Sequence, residues 1–195
     1  MKLRLLLPAL MMNAVLFTIA GQNARAGTET APFQQVRFAS PFELRDYPAL
    51  TLVEAPLTTA NGNGGFGRLF RFISGRNASG EKIPMTTPVF MGEQAGLATM
   101  AFVMPAALKP DQVPRPDDAA LAVKEIPAGR FAVMRFSGGR SAKNEQAALA
   151  RLRTWLAAEN LTASAPPVYG YFDPPWIPTF LRRNEVMLRL DAPAR

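Results

Sequence analysis

The sequence predicts an α+β domain. Its expected form is a curved, mainly antiparallel sheet or distorted barrel with two packed helices, built from duplicated β-α-β-β units. Two observations point there. Each half of the chain runs through the same order: strand, glycine-containing turn, helix, then two strands. The halves also share wording where that order begins. Arg45-Asp46-Tyr47-Pro48-Ala49 is echoed by Lys124-Glu125-Ile126-Pro127-Ala128, both basic, acidic, bulky, proline, alanine.

The elements follow in order. Residues 42–47 alternate apolar and polar side chains, as a half-buried strand does. Pro48 interrupts, and residues 50–55 resume the strand pattern. Residues 61–65 form a glycine-rich turn. Phe66, Leu69, Phe70 and Ile73 recur at i, i+3, i+4 and i+7, one apolar stripe of a helix with Arg68 and Arg71 off it. Gly75 is the expected stop for that helix, and residues 77–80 are turn-like. Residues 85–91 and 97–104 read as two strands, and Met85, Met91, Met100 and Met104 in or beside them read as core filler. A proline-rich loop spans 109–116. Residues 121–126 and 130–136 are strands of the second half. A helix over 144–159 carries Ala148, Leu149, Leu152, Trp155 and Leu156 on its apolar face. Residues 168–172 and 185–190 are the last strands, and Pro174, Pro175 and Pro178 enforce an irregular loop between them.

The amino end reads as an export signal. Lys2 and Arg4 precede a mostly apolar run from Leu5 to Ala20, and Ala24-Arg25-Ala26 offers small residues for cleavage after Ala26. The domain organisation expected is a signal over 1–26, a flexible leader over 27–40 and a single domain over 41–191. Removing the signal takes away Lys2, Arg4 and Arg25 and no acid, so three of the +7 charges belong to it. The remainder is a weak case for nucleic acid and suits a moderately basic patch for an anionic small ligand. The predicted location is the periplasm or the medium.

Catalytic equipment is sparse. The chain has no histidine and no cysteine, which removes the usual general base, ordinary zinc sites and Ser or Cys triads. Gly62-Asn63-Gly64-Gly65-Phe66-Gly67 fits G-x-G-x-x-G, but six residues separate it from the preceding strand, so it reads as the approach to a helix rather than a dinucleotide fingerprint. Asp117-Asp118 reads as solvated turn charge. Arg182-Arg183-Asn184-Glu185 is expected to pair with neighbours and lock the end of the sheet. Arg68 and Arg71 are either a solvated basic face or partners for the carboxylates of a large, flat, apolar ligand.

Several segments together resemble the SOUL haem-binding family: Arg71-Phe72-Ile73-Ser74-Gly75-Arg76-Asn77, Lys82-Ile83-Pro84-Met85-Thr86-Thr87-Pro88-Val89, Phe102-Val103-Met104-Pro105, Phe136-Ser137-Gly138-Gly139, Tyr171-Phe172-Asp173-Pro174-Pro175-Trp176 and Arg182-Arg183-Asn184-Glu185-Val186. Their order and spacing match, and the resemblance covers the whole domain over residues 42–190. The resemblance implies the two-repeat fold argued above. It also implies binding of haem or a related tetrapyrrole in a shallow apolar groove near the first helix and the loop before the last strand. Carried to this chain, that groove involves Phe66, Arg68, Leu69, Phe70 and Arg71, with residues 171–180, including Tyr171 and Trp176, as the opposing lip.

One departure matters. Some members of the family are thought to ligate haem iron through histidine, and this chain has none. Met, Tyr or Lys is the remaining choice of axial ligand. Otherwise binding rests on apolar contact and on arginine pairing with propionates. The expectation is therefore an exported, non-enzymatic binding protein for haem or another planar apolar tetrapyrrole, with no protein metal site. The alternative is a protein- or membrane-interaction or sensory module on the same fold, with peripheral membrane contact and no haem role.

Overall fold

A computed structural model describes residues 28–57 and 63–192. The export signal over 1–26 and the start of the glycine-rich turn lie outside the described residues. The elements are β1 (Glu29–Thr30), β2 (Gln34–Ala39), β3 (Phe42–Tyr47), β4 (Leu50–Pro56), α1 (Asn63–Ile73), β5 (Thr86–Thr87), β6 (Val89–Gln94), β7 (Leu97–Val103), β8 (Ala122–Ile126), β9 (Gly129–Phe136), α2 (Ala142–Ala158), β10 (Val168–Tyr171) and β11 (Asn184–Arg189).

Nine strands form one open antiparallel sheet in the order β2-β3-β9-β11-β10-β6-β7-β4-β8, and β1 pairs in parallel with β5 beside it. The α+β class with two helices is as expected, and the sheet is curved and open rather than closed into a barrel. Its order makes the duplication visible. Around the central β10–β6 pair, β11 and β9 on one side mirror β7 and β4 on the other. The leading strand of each repeat has crossed to the other half. β3 pairs with β9, placing Tyr47 opposite Gly129, and β8 pairs with β4, placing Ile126 opposite Leu50. Since Tyr47 and Ile126 are equivalent in the echoed pentapeptides, the two crossed pairs share one register. Exchanging first strands ties the halves into a single body.

Both helices lie on the same face. From α1, Leu69, Phe72 and Ile73 bury against Val53 and Ala55 of β4 and Met100 and Phe102 of β7, with Met91 and Met104 in the same cluster. Gly65 allows the approach: a Cβ there would come within 3.0 Å of Leu57 Cδ2. Gly65 thus serves helix packing. From α2, Ala148, Leu152 and Leu156 bury against Leu44, Ala132, Met134, Val186 and Leu188. Ser141 caps α2, its Oγ accepting from the Asn144 N–H at 3.2 Å.

The opposite face has its own core. Tyr47 of β3, Val133 of β9, Met187 of β11 and Leu50 and Leu52 of β4 share one cluster, although β3 and β4 lie near opposite ends of the sheet. That sharing requires the sheet to curl around this face. Where the sequence predicts a flexible leader, β1 and β2 form instead. Ala31 is buried in the concave cluster, Phe33 packs against it, and β2 pairs along β3 through a bulge between Gln35 and Arg37.

The polar side of β3 also departs from a half-buried strand. Glu43 and Arg45 are fully buried on the concave face. Arg45 donates Nε to Glu43 at 2.7 Å and Nη1 to Glu185 of β11 at 2.7 Å, while Arg183 donates to Glu185 at 2.6 Å. Phe33 covers the Arg45 guanidinium, 4.2 Å from ring centroid to Cζ. Burial by itself would push the Glu185 carboxyl up, but Arg45 and Arg183 outweigh it and hold it below the usual carboxylate range. Arg183 and Glu185 thus lock the sheet end, as the sequence predicts.

The segment after α1 turns the chain through a buried asparagine. Gly75, at φ +104°, ends the helix. Asn77 Nδ2 donates to the carbonyls of Phe72 at 3.0 Å and Glu81 at 2.8 Å, and its Oδ1 accepts from the N–H groups of Ser79 and Glu81. One side chain therefore fixes both ends of the turn that leads to β5 and β6.

Candidate functional site

The stripe read from the sequence divides in space. Leu69 is fully buried in the α1 core cluster, so it packs the fold and does not line a surface groove. Phe66 and Phe70, one turn apart, remain 42% and 51% exposed. Their rings stack at 6.0 Å between centroids and 11° between planes, and Phe66 meets the core through an edge contact with Phe102 at 5.4 Å. Two half-exposed aromatic rings on one helix are surplus to the core requirement of α1.

Helix geometry orders the rest of that face. At 100° per residue, Gly67 lies between Phe70 and Arg71 around the helix. Arg71 is exposed, and its Nη1 would lie 3.6 Å from a Cβ at Gly67. The outer face of α1 is thus an aromatic edge, a strip without a side chain, and a cationic edge. Arg68 sits farther round and is committed. It donates to both carboxylate oxygens of Asp118 at 2.6 and 2.7 Å. The Ala120 N–H and Arg68 hold Asp118 below the usual range, so Asp118 is more than turn charge. The two arginines differ: Arg68 is hydrogen-bonded to Asp118, whereas Arg71 acts on Asp118 through its charge and, among the described residues, has no hydrogen-bonded acid.

Tyr171 lies on the helix side of β10, packed against the α1 cluster. Its hydroxyl donates to Glu145 of α2. Burial and Glu145 push the phenol well above its ordinary value, which disfavours the phenolate an iron ligand would need. Trp176 is on the loop between β10 and β11. That loop docks beside the start of α2, with the Gly138 N–H donating to the Thr179 carbonyl at 3.1 Å. Among the described residues, the ring contacts of the α1 aromatics run to each other and to Phe102, not to Trp176. The structure therefore joins Phe66 and Phe70, sets Arg71 beside them, and leaves Leu69, Tyr171 and Trp176 to other tasks.

A cleft of about 300 Å³ opens on the opposite, concave face, lined by Leu52, Phe90, Ala101, Ile126 and Val168 with Glu54 and Lys124. Lys124 is bonded to Glu54 and Gln94, so the cleft offers no uncommitted cation for an acidic ligand. Sequence reasoning did not anticipate it, because its walls come from strands on both sides of the duplication. Among the described residues no group of three or more acidic side chains gathers where a metal ion could be held. For a tetrapyrrole, the residues present fit the apolar plate and an acidic arm, and supply no imidazole or thiolate for its metal.

A family model described as SOUL heme-binding protein matches residues 28–189. Among solved structures, the EcmrR C-terminal domain is similar at 11% identity and a TM-score of 0.59, over 82% of this chain and 98% of that one. A hydrolase from Listeria innocua is similar at 9% identity and a TM-score of 0.59, over 80% and 94%. An uncharacterized conserved protein from Listeria innocua is similar at 10% identity and a TM-score of 0.60, over 77% and 92%. At these identities the likeness concerns the fold alone. No curated protein matches the chain significantly.

Proposed function

The chain belongs to the SOUL haem-binding family, and on that premise we propose that it is an exported, non-enzymatic carrier or buffer for haem or a related planar tetrapyrrole. The observation that carries the reading is the outer face of α1. The stacked Phe66 and Phe70 offer an apolar platform, Gly67 leaves room for a flat ring system to approach the helix, and Arg71 offers a guanidinium for a propionate. Export is supported by the basic, apolar and small-residue order of residues 1–26.

The absence of histidine and cysteine shapes the mode of binding. Affinity comes from ring contact and charge pairing rather than from a strong axial bond, so selectivity for iron is low. Parallel titrations with haemin and iron-free protoporphyrin test this. Similar saturable binding of both, at low micromolar concentration, is the expected result. Saturable binding of neither defeats the reading, and binding of haemin alone defeats the ligation-free mode.

A further inference from the structure

The loop between β10 and β11 carries apolar side chains that neither the fold nor the α1 face uses. Trp176 is 79% exposed and Phe180 73%, and Leu181 beside them is also exposed. The backbone beneath them is firmly held. Pro174, Pro175 and Pro178 fix φ at three points. Arg182 donates Nε to the Ile177 carbonyl at 2.8 Å and Nη2 to the Pro175 carbonyl at 2.5 Å. The Arg183 N–H donates to Asp173 Oδ2 at 2.6 Å, and the Leu181 N–H closes a tight turn onto the Pro178 carbonyl at 2.9 Å. The loop is a rigid mount for outward-facing rings.

Exposure this high means that the side chains protrude. Protruding Trp, Phe and Leu on a stiff loop match a soft apolar medium. The charges around the loop indicate its sign. Exposed Arg140 and Lys143 lie on the segment against which Thr179 docks through Gly138 and Gly139. The neighbouring acids point into the fold rather than out to the surface of the loop: Asp173 accepts from the Arg183 N–H, and Glu145 accepts from the Tyr171 hydroxyl with Arg140 3.9 Å away. Among the described residues no helix is long and apolar enough to cross a membrane.

We propose that residues 174–181 form a membrane-interface anchor, with Trp176, Phe180 and Leu181 entering the boundary between headgroups and acyl chains of an anionic bilayer and the exposed Arg140 and Lys143 facing its phosphates. Trp at the headgroup level beside cationic side chains is the arrangement such a boundary favours. The anchor uses none of the residues of the α1 face.

The test uses the full chain carrying Trp155→Phe, which keeps an aromatic ring for the stack on Phe42 and leaves Trp176 as the sole tryptophan. It is mixed with phosphatidylcholine vesicles, with or without phosphatidylglycerol, some bearing brominated acyl chains. The expected result is a blue shift and bromine quenching of Trp176 emission, stronger with phosphatidylglycerol. Phe180→Ser with Leu181→Ser is expected to weaken that response by about tenfold. Because the emission arises in the loop, it reports insertion there and not attachment through the N-terminal apolar run. Unquenched emission, or a response unchanged by the serine pair, overturns the proposal. So does an equal blue shift without vesicles that grows with protein concentration, which marks a protein contact instead. If Trp155→Phe fails to fold, vesicle flotation of the unmodified chain against Trp176→Ser with Phe180→Ser decides the same question.

Discussion

Phe66 stacks on Phe70 across one turn of α1, with ring planes 11° apart and both rings open to solvent, while Leu69 between them is fully buried. Neighbours on one apolar stripe therefore have opposite duties. Leu69→Ala is expected to destabilise the fold by about 2–5 kcal/mol, the range for a buried leucine that leaves a cavity. Phe70→Ser is expected to shift stability by less than about 1 kcal/mol and to weaken tetrapyrrole binding. Urea unfolding and ligand titration of both variants check the division; comparable destabilisation by both refutes it.

Arg68 and Arg71 are separable in the same way. Arg71→Glu is expected to weaken haemin binding with little change in melting. Asp118→Asn is expected to strengthen it, because Arg68 is then released toward a propionate. The partly exposed Arg68–Asp118 pair contributes roughly 0–1 kcal/mol to stability, so a fall in binding for Asp118→Asn cannot be ascribed to unfolding and contradicts the assignment.

Arg45 stands between two buried carboxylates. Arg45→Met leaves Glu43 and Glu185 facing each other on the concave face with less compensation, and is expected to cost about 3–5 kcal/mol. Urea unfolding measures it. A near-neutral result would show that Arg135, 2.7 Å from Glu43, and Arg183, 2.6 Å from Glu185, alone balance both acids.

Burial would raise Glu185, yet Arg45 and Arg183 hold it below an unfolded glutamate value of about 4.3. The stability this confers is present above that unfolded value and is lost as pH falls through the lower folded value. With no histidine or cysteine, side chains at their ordinary values leave the interval from about pH 5.5 to 8 quiet. The melting temperature is expected to be level across that interval and to fall below about pH 4. A pronounced step near pH 6.5, or a rise in acid, contradicts this.

The sequence made the strand order within each repeat legible because apolar alternation and helical spacing are local signals. Strand β2 is hidden for a physical reason: Gln34 to Phe38 bury neither face, so backbone pairing with β3 and the Arg37–Glu159 ion pair hold them and no burial pattern is written in the side chains. The ion network was half legible. Arg183 and Glu185 read as a locking pair, but Arg45 looked like the wet side of a strand, because its partner Glu185 lies 140 residues away. Asn77 read as turn material, and its buried role emerges only when Phe72 and Glu81 are brought to either side of it. At the candidate site, spacing identified the stripe on α1 but not which members exceed the core; the depth of the contact with β4 and β7 decides that.

The central claim is that the aromatic pair on α1 is the tetrapyrrole platform, and a haemin titration of the unmodified chain against Phe66→Ser with Phe70→Ser tests it most directly. The Soret band is followed, with melting recorded in parallel. The account predicts saturable binding at low micromolar haemin for the unmodified chain and at least about tenfold weaker binding for the variant, with a preserved melting transition. Equal haemin binding by a folded variant would contradict it.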